Sequence, residues 1–288
     1  DSTKKQCSSI KLIYKDSESN MVITDQGMEY LNNLTSNLSI ITVTGTKKSE
    51  KSSIANLIIG DKDTFNTNES TSGIRIWGKP LAHQDDTDLL VLDTEGFLKD
   101  INTNTDYEKK NFILSCLVSS VLVFNSDDTL QNCLFKFVSL AKESLKKMKK
   151  FENKELTEND LPIVYFILHT NMIDSNTANN QFKTFIRDEP IFQKYFKNSK
   201  IYVLPKLEKQ NVALPKSKTV LGQEMSISLD DQDFKQKSKN IKDEIMNNLE
   251  IKKINNCNLG GKILFGSLLS FVDSLNKEEN IFLYDSFN

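Results

Sequence analysis

A run of four apolar residues leads into an acidic cluster in the first third of the chain. Leu89-Leu-Val-Leu92 is followed by Asp93, Thr94, Glu95 and Gly96. This pattern predicts a buried strand that delivers the Asp93 carboxylate to the edge of a sheet, with a glycine-pivoted loop behind it. A carboxylate at a strand end can support Mg²⁺, and a glycine amide can contact a terminal phosphate. The chemistry that this stretch favours is binding of a metal–phosphate group.

Upstream of this run lies a stretch with most residues of a phosphate-binding loop. Gly45-Thr-Lys-Lys-Ser-Glu-Lys51-Ser52 follows the G-x-x-x-x-G-K-[ST] rule except that Glu50 replaces the second glycine. Such loops direct backbone N–H groups at phosphates from the N-terminus of a helix. A β-branched run before the loop and a helical pattern after it supply the required context. The two stretches together indicate common ancestry with P-loop GTPases.

Glu50 opposes phosphate binding in two ways. Glycine before the lysine lets the backbone turn closely without a Cβ atom, and glutamate removes that freedom. Its charge also repels a polyanion, by about 1 kcal/mol per unit-charge pair at ~4 Å in water-like surroundings and about 4 kcal/mol at an effective dielectric of 20. A Glu50 side chain that points into the loop would therefore weaken phosphate binding severely. A side chain that points outward, or that pairs with Lys47 or Lys48, also fits the sequence.

Strands and helices alternate along most of the chain. Apolar or β-branched runs predict strands at 10–14, 38–44, 73–78, 89–92, 118–124, 163–168 and 201–204. Helical patterns lie at 25–34, 51–59, 106–117, 130–148 and 263–275, and polar loops are predicted at 61–72 and 206–240. The first strand is expected at a sheet edge, and the third and fourth are expected to form a hairpin. The alternation predicts an α/β fold with a mostly parallel, doubly wound sheet.

Composition excludes several other classes of protein. The formal net charge of the 288 residues is −2, so no overall positive field favours nucleic acid as a partner. Four scattered cysteines and two histidines favour neither a structural zinc site nor a disulfide framework. No apolar run reaches the roughly 20 residues that cross a bilayer. We expect a cytoplasmic protein with buried free thiols, and the absence of an initial Met favours a fragment of a longer chain.

Several segments resemble the guanylate-binding protein and atlastin group of dynamin-like large GTPases. The segments that carry the resemblance are Val22-Ile-Thr24, Thr71-Ser-Gly-Ile-Arg-Ile-Trp77, Leu90–Gly96, Ser119–Ser126, Phe192–Leu204 and Asn258-Leu-Gly-Gly-Lys262. They span nearly the whole chain. The resemblance therefore implies one large G domain of the P-loop NTPase fold over residues 1–288.

The resemblance also implies a role for each matching position. Lys51 would contact the β- and γ-phosphates, Ser52 would ligate Mg²⁺ and Asp93 would support that ion. Thr71 would be the switch I threonine, with a catalytic and a metal role, and Gly96 would sense the γ-phosphate. The implied nucleotide-binding positions are Gly45, Lys48, Ser49, Glu50, Lys51, Ser52, Ser53, Asp93, Gly96, His169, Thr170 and Asp174. Purely structural roles for Ser52 at a helix N-terminus and for Asp93 at a strand end also fit the sequence.

Two further departures from the family pattern fall on the nucleotide chemistry. Lys48 stands where the family has a catalytic arginine, and lysine lacks the bidentate fork that makes an arginine finger worth about 10³–10⁵ in rate. His169-Thr170 stands where an Arg-Asp pair reads guanine. Asn171-Met-Ile-Asp174 partly matches N-K-x-D, so Asp174 is either a guanine-reading carboxylate or, with Asn171, a loop cap.

Two functions follow from this combination. The first is a large G domain that binds GTP or GDP with Mg²⁺ and hydrolyses GTP slowly if at all. The second is a pseudo-GTPase that acts as a scaffold or dimerisation module. A P-loop ATPase ranks third, since the sequence has no adenine-reading pattern. The resemblance leaves homodimerisation through the G domain and contact with membranes open.

Overall fold

An eight-stranded sheet with helices on both faces forms the centre of the molecule. The computed structural model describes residues 9–47, 49–61, 64–67, 71–80, 86–97, 106–150, 155–206, 229–254 and 257–283. The strands are β1 Ile10–Lys15, β2 Met21–Ile23, β3 Asn37–Gly45, β4 Ile74–Pro80, β5 Thr87–Thr94, β6 Val121–Ser126, β7 Met148–Lys150, β8 Ile163–His169, β9 Lys200–Leu204, β10 Lys253–Ile254, β11 Cys257–Asn258 and β12 Ile281–Leu283. The helices are α1 Asp25–Asn32, α2 Lys51–Ile59, α3 Asp106–Val118, α4 Leu130–Lys147, α5 Ser175–Asp188, α6 Pro190–Tyr195, α7 Leu229–Asn247 and α8 Gly261–Asn276.

The strand order in the large sheet is β2-β1-β4-β5-β3-β6-β8-β9. The five strands from β5 to β9 in this order run parallel, and β4, β1 and β2 are added by antiparallel pairing. The predicted α/β class and mostly parallel, doubly wound sheet are confirmed. The pairing of β4 with β5 also confirms the predicted hairpin partners.

Alternating side chains of the central strands fill two hydrophobic cores. Ile40 of β3 contributes to the larger core with α1, α3, α4, α5, α6 and α8, whereas Ile41 and Val43 contribute to the smaller core with α2 and α7. Both faces of β3 are covered, so the strand is apolar on both sides, as expected for a buried parallel strand. This packing fixes the strand ends from which the candidate site is built.

Local sequence accounts for the boundaries of the helices nearest the site. The Thr24 hydroxyl accepts the backbone N–H of Gly27 and caps α1. Helix α2 begins at Lys51 and ends at Gly60, whose φ of 85° is the left-handed conformation that glycine adopts without strain. The predicted helix over 51–59 is therefore confirmed.

Three predicted features need correction. Strand β2 rather than β1 lies at the sheet edge, because residues 21–23 turn back and pair with β1. Residues 229–240, predicted as loop, belong to α7. Helices α5 and α6 were not predicted. The sequence of α5 is mostly polar and buries only Ala178 and Phe182, so few apolar residues reveal the helix.

Within the described residues, no helix is both long enough and apolar enough to cross a membrane. The free thiols Cys116 and Cys133 are buried, as predicted, but Cys257 is exposed. The residues Cys7 and His83 lie outside the described part of the chain.

Candidate functional site

The two stretches singled out from the sequence lie on adjacent parallel strands. Strand β3 pairs with β5 on one side, with Val43 opposite Asp93, and with β6 on the other, with Gly45 opposite Asn125. The carboxyl ends of all three strands therefore meet at one edge of the sheet. This edge is where ligands of open α/β sheets bind.

Gly45 starts the loop and has no room for a side chain. Its φ is 138°, and a Cβ atom built there would lie 1.9 Å from the carbonyl oxygen of Asn125. The loop then runs beside the segment after β5, since the N–H of Lys47 donates to the carbonyl of Phe97 at 2.6 Å and the N–H of Phe97 donates to Gly45 at 2.9 Å. The first glycine of the phosphate-loop pattern thus holds the loop against β6.

Glu50 occupies the backbone conformation in which the pattern places a glycine. Its φ of 59° and ψ of 34° are left-handed, and it is the N-cap residue of α2 without a capping hydrogen bond from its side chain. The side chain is exposed and has no ion pair with any residue that the structure describes. The loop therefore keeps its fold at a cost of about 1–2 kcal/mol in backbone strain, while the carboxylate lies on the solvent side.

Lys51 lies inside the loop. Its side chain is buried, and its ammonium group donates to the carbonyl oxygen of Thr46 at 2.9 Å. Burial lowers the pKa of Lys51, and the nearby Asp93 carboxylate opposes that shift. A Cβ atom at Gly96 would lie 2.4 Å from the Lys51 ammonium nitrogen and 2.9 Å from backbone atoms of Lys47, so a larger residue would displace the loop. The loop lysine and the glycine after β5 are therefore in direct contact.

A cluster of three oxygen-bearing side chains lies beside Lys51. The hydroxyls of Ser52 and Thr71 both donate to Oδ2 of Asp93 at 2.7 Å, and the two hydroxyl oxygens are 3.3 Å apart. Asp93 is fully buried, and its Oδ1 has no hydrogen-bond partner within the described structure. Burial raises the pKa of Asp93, while the hydrogen bonds from Ser52 and Thr71 oppose the shift.

This oxygen cluster fits a magnesium ion. Mg²⁺ prefers hard oxygen ligands, and protein sites usually hold it through one or two carboxylates together with hydroxyls, water and phosphates. The unpartnered Oδ1 of Asp93 is a buried polar atom of the type that such an ion or its water would satisfy. The sequence predicted all three residues, although they come from three separate segments.

The sequence did not predict some of the residues that shape the site. The buried Glu108 of α3 forms an ion pair with Lys47 at 2.8 Å, and Glu95 lies 4.0 Å from the same ammonium group. Oε2 of Glu95 also accepts the N–H of Gly73 at 3.2 Å, next to Thr71. An acidic residue in the first turn of a helix is normally a surface feature, so nothing in the sequence distinguished Glu108.

His169 is tied to the loop through Asn125. The side-chain amide of Asn125 donates to the carbonyl of Ser49, which leaves its Oδ1 facing Nε2 of His169 at 2.9 Å. Nε2 must then carry the proton and donate. Burial lowers the pKa of His169 to about 4, so the ring is neutral at pH 7. Ser49 adds a hydrogen bond from its hydroxyl to the carbonyl of Thr46 at 2.7 Å.

Asp174 caps a helix in this structure. Its carboxylate accepts the backbone N–H groups of Asn176 and Thr177 at 2.9 and 3.0 Å, which makes Asp174 the N-cap residue of α5. Asn171 accepts the N–H of Lys206 at 2.9 Å, so its side chain joins this loop to the segment after β9.

Two other predicted residues, Thr170 and Ser53, make few contacts within the described structure. The Thr170 hydroxyl accepts the N–H of Met172 at 3.1 Å, and Ser53 is exposed on the first turn of α2. Lys48, the predicted catalytic lysine, lies outside the described residues.

The fold and site define the class of protein. A strand–loop–helix unit with a buried lysine, next to a parallel strand that ends in aspartate, is the architecture of a P-loop GTPase domain. A model of the family described as "Guanylate-binding protein, N-terminal domain" matches residues 18–169. That match covers more than half of the chain, so the chain belongs to this guanylate-binding protein family.

Individual relatives are distant. Human guanylate-binding protein 2 is 29% identical over 115 residues, covering 38% of this chain and 19% of the relative. Human guanylate-binding protein 4 is 24% identical over 124 residues, covering 42% and 19%. Guanylate-binding protein 5 of Mus musculus is 29% identical over 117 residues, covering 38% and 19%. The chain thus spans about a fifth of the length of the curated relatives it matches (19% for human guanylate-binding protein 2).

A solved structure of Era in complex with MgGDPNP and a segment of 16S ribosomal RNA is also similar. It has a TM-score of 0.36 and 13% identity, and the similarity covers 59% of this chain and 51% of that chain.

Proposed function

We propose that this chain is a large G domain that binds guanine nucleotide together with Mg²⁺ and hydrolyses GTP slowly if at all. The observation that carries the proposal is the cluster of Ser52, Thr71 and Asp93 beside Lys51, with one buried carboxylate oxygen unpartnered. In this role Ser52 and Thr71 would contact the ion and Asp93 would support it. Bound Mg²⁺ would neutralise phosphate charge.

Phosphate binding would rest on the loop and on Lys51. The ammonium group now donates to a backbone carbonyl, which is a weaker partner than a phosphate oxygen because the carbonyl carries no net charge. We therefore expect Lys51 to exchange Thr46 for the phosphates when nucleotide enters. The exposed position of Glu50 supports entry, since its carboxylate does not fill the loop.

The residue at position 48 is the reason for proposing that hydrolysis is slow. The family resemblance places a catalytic arginine there, and this sequence has lysine. Lysine is a point charge without the planar fork that binds phosphate in a bidentate manner. Loss of an arginine finger lowers turnover by about 10³–10⁵.

Selectivity for guanine is expected to be weak. His169 is buried and neutral, Thr170 has no carboxylate, and the Asp174 carboxylate is bonded to the first turn of α5. Guanine-specific recognition normally requires an acceptor for the N–H groups of the base. Because the Asp174 carboxylate caps α5, its position also favours the second candidate function, a pseudo-GTPase that serves as a scaffold or a dimerisation module.

Calorimetric titration tests the proposal directly. With a non-hydrolysable GTP analogue and Mg²⁺, we expect binding that is lost in Lys51→Ala and retained in Lys262→Ala, an exposed lysine on α8. No heat up to millimolar nucleotide would refute nucleotide binding and leave the scaffold function. Phosphate release well above the intrinsic rate of a small GTPase, if lost in Lys51→Ala, would refute both slow hydrolysis and the scaffold.

A further inference from the structure

Strand β9 is the outermost strand at the end of the sheet opposite β2. It pairs with β8 on one side and, among the described residues, has no partner strand on the other. The N–H of Thr170 donates to the carbonyl of Leu204 at 3.0 Å, so Leu204 faces β8. Because alternate residues of a strand direct their backbone groups to opposite neighbours, Ile201 and Val203 direct their N–H and C=O groups outward.

A groove lies over this free edge. Helix α5 forms one wall and α7 the other, and the open space between them has a volume of about 680 Å³. Phe182 and Ile186 line it from α5, and Ile241 lines it from α7. The outward backbone groups of Ile201 and Val203 are about 6.6 Å apart along the strand, since each residue adds about 3.3 Å. The backbone groups of a pairing strand have the same spacing. The groove therefore matches an extended peptide better than a compact ligand.

The walls of the groove are mainly basic. Its charged residues are four lysines and one glutamate, namely Lys183, Lys197, Lys200, Lys237 and Glu244. Lys200 is bonded to Glu244 at 2.5 Å, and Tyr202 also donates to that carboxylate, so this glutamate is already neutralised.

The remaining lysines can accept a new partner. Lys183 is exposed and has no ion pair with any described residue. Lys197 and Lys237 pair with Glu158 and Asp233 at 2.7 and 2.8 Å, but these pairs are at the surface. Surface ion pairs contribute little to stability and exchange partners readily. Lys183 is therefore the groove lysine whose charge is not balanced by a described acidic residue, and it favours a carboxylate on the α5 side.

We propose that an extended acidic peptide of a partner protein adds as a strand to the free edge of β9. Its backbone pairs with the outward N–H and C=O groups of Ile201 and Val203. Because alternate side chains of a strand point to opposite faces, its carboxylates lie on the α5 face beside Lys183, and its apolar side chains lie on the α7 face against Ile241. In this mode the backbone hydrogen bonds supply affinity, and the flanking side chains supply specificity.

The probe is a fluorescein-labelled peptide of alternating valine and aspartate. A length of about five residues matches the roughly 16 Å that the five-residue strand β9 spans. We expect saturable binding in fluorescence anisotropy that weakens as salt rises. The same peptide with alternate amides N-methylated is expected to lose binding, because its donors are blocked. A peptide with lysine in place of aspartate is expected not to bind.

Two variants of the protein locate the binding. The charge reversal Lys183→Glu is expected to weaken peptide binding at least about tenfold, whereas Lys235→Glu, exposed on α7 and outside the groove lining, is the matched control. Val203→Pro removes one outward N–H at an edge position that tolerates proline, and it is expected to abolish binding with an unchanged circular dichroism spectrum.

Three results would overturn the proposal. The first is no binding of the acidic peptide up to millimolar concentration. The second is equal binding of the N-methylated peptide, or equal binding by the charge-reversed variant. The third is a dimer in sedimentation that Val203→Pro dissociates, which would show that a second copy of this chain occupies the edge.

Discussion

Individual residues decide whether the loop can bind nucleotide. Ser52 donates to Asp93, and the Asp93 carboxylate is close enough to influence the pKa of Lys51. The sequence predicted this set because a lysine–serine pair and an aspartate follow two predicted parallel strands. Glu50 is the departure whose effect the sequence left open, since the direction of a side chain depends on the backbone. The structure shows a left-handed, exposed glutamate.

Substitution of Glu50 separates its charge from its backbone conformation. We expect Glu50→Gln to tighten GTP binding up to about fivefold, because removal of one unit-charge repulsion near the surface is worth about 1 kcal/mol. Glu50→Gly removes the same charge and also the left-handed strain, so its affinity should be at least as high. Calorimetry of both variants measures the effect. Weaker binding by Glu50→Gln would show that the carboxylate assists the site.

At the scale of elements, His169 and Asn125 join the ends of β8 and β6 to the loop. No pattern in the sequence predicted this link, because it depends on which strands are neighbours. Glu108 of α3 was missed for a similar reason, because its ion pair with Lys47 depends on how α3 packs against the loop. Helix α5 was missed because its sequence is mostly polar, although Asp174 is a typical N-cap residue.

The His169 link predicts a pH dependence of stability. Burial lowers the pKa of folded His169 to about 4, whereas the unfolded value is about 6.5. The unfolded chain therefore binds more protons between these values, and stability falls as pH drops from about 6.5 to 4. Between pH 7 and pH 5 the loss is about 2 kcal/mol. Urea unfolding at both pH values should show this loss in the natural chain but not in His169→Gln; equal losses would contradict it.

At the scale of the whole molecule, the sheet with its two cores accounts for the fold. The apolar strands and the amphipathic helices α4 and α8 were predictable because their periodicity is strong. The polar α7 was not, because few of its described side chains are apolar: Ile241 and Ile245 are buried in the smaller core, and Phe234 and Met246 are partly buried against it. Lys252 is buried because of where the fold places it, and no pattern in the sequence predicts that burial.

Lys252 is a buried amine that the fold retains at a cost. It is 3% exposed, and burial lowers its pKa to about 8, against an unfolded value of about 10.4. At pH 7 the folded protein therefore holds a charge in a poorly solvated place, and its stability should rise as pH rises from about 8 to 10.4.

Replacement of this lysine is expected to stabilise the protein. Lys252→Met should raise the free energy of unfolding at pH 7 by about 1–3 kcal/mol, since a well-packed apolar side chain replaces a buried charge. Lys253→Met, at the exposed next position, is the matched control and should change it by less than about 0.5 kcal/mol. Thermal and urea unfolding measure both. A loss of stability in Lys252→Met would show that the ammonium group is well paired.

The most direct test of the central claim is the magnesium dependence of nucleotide binding. A non-hydrolysable GTP analogue is titrated into the natural chain and into Ser52→Ala, each with Mg²⁺ and with a chelator. Because Ser52, Thr71 and Asp93 would hold the ion against the phosphates, Mg²⁺ should raise the affinity of the natural chain by about tenfold or more. In Ser52→Ala most of that gain should be lost. Equal affinities with Mg²⁺ and with chelator, in both proteins, would contradict the account.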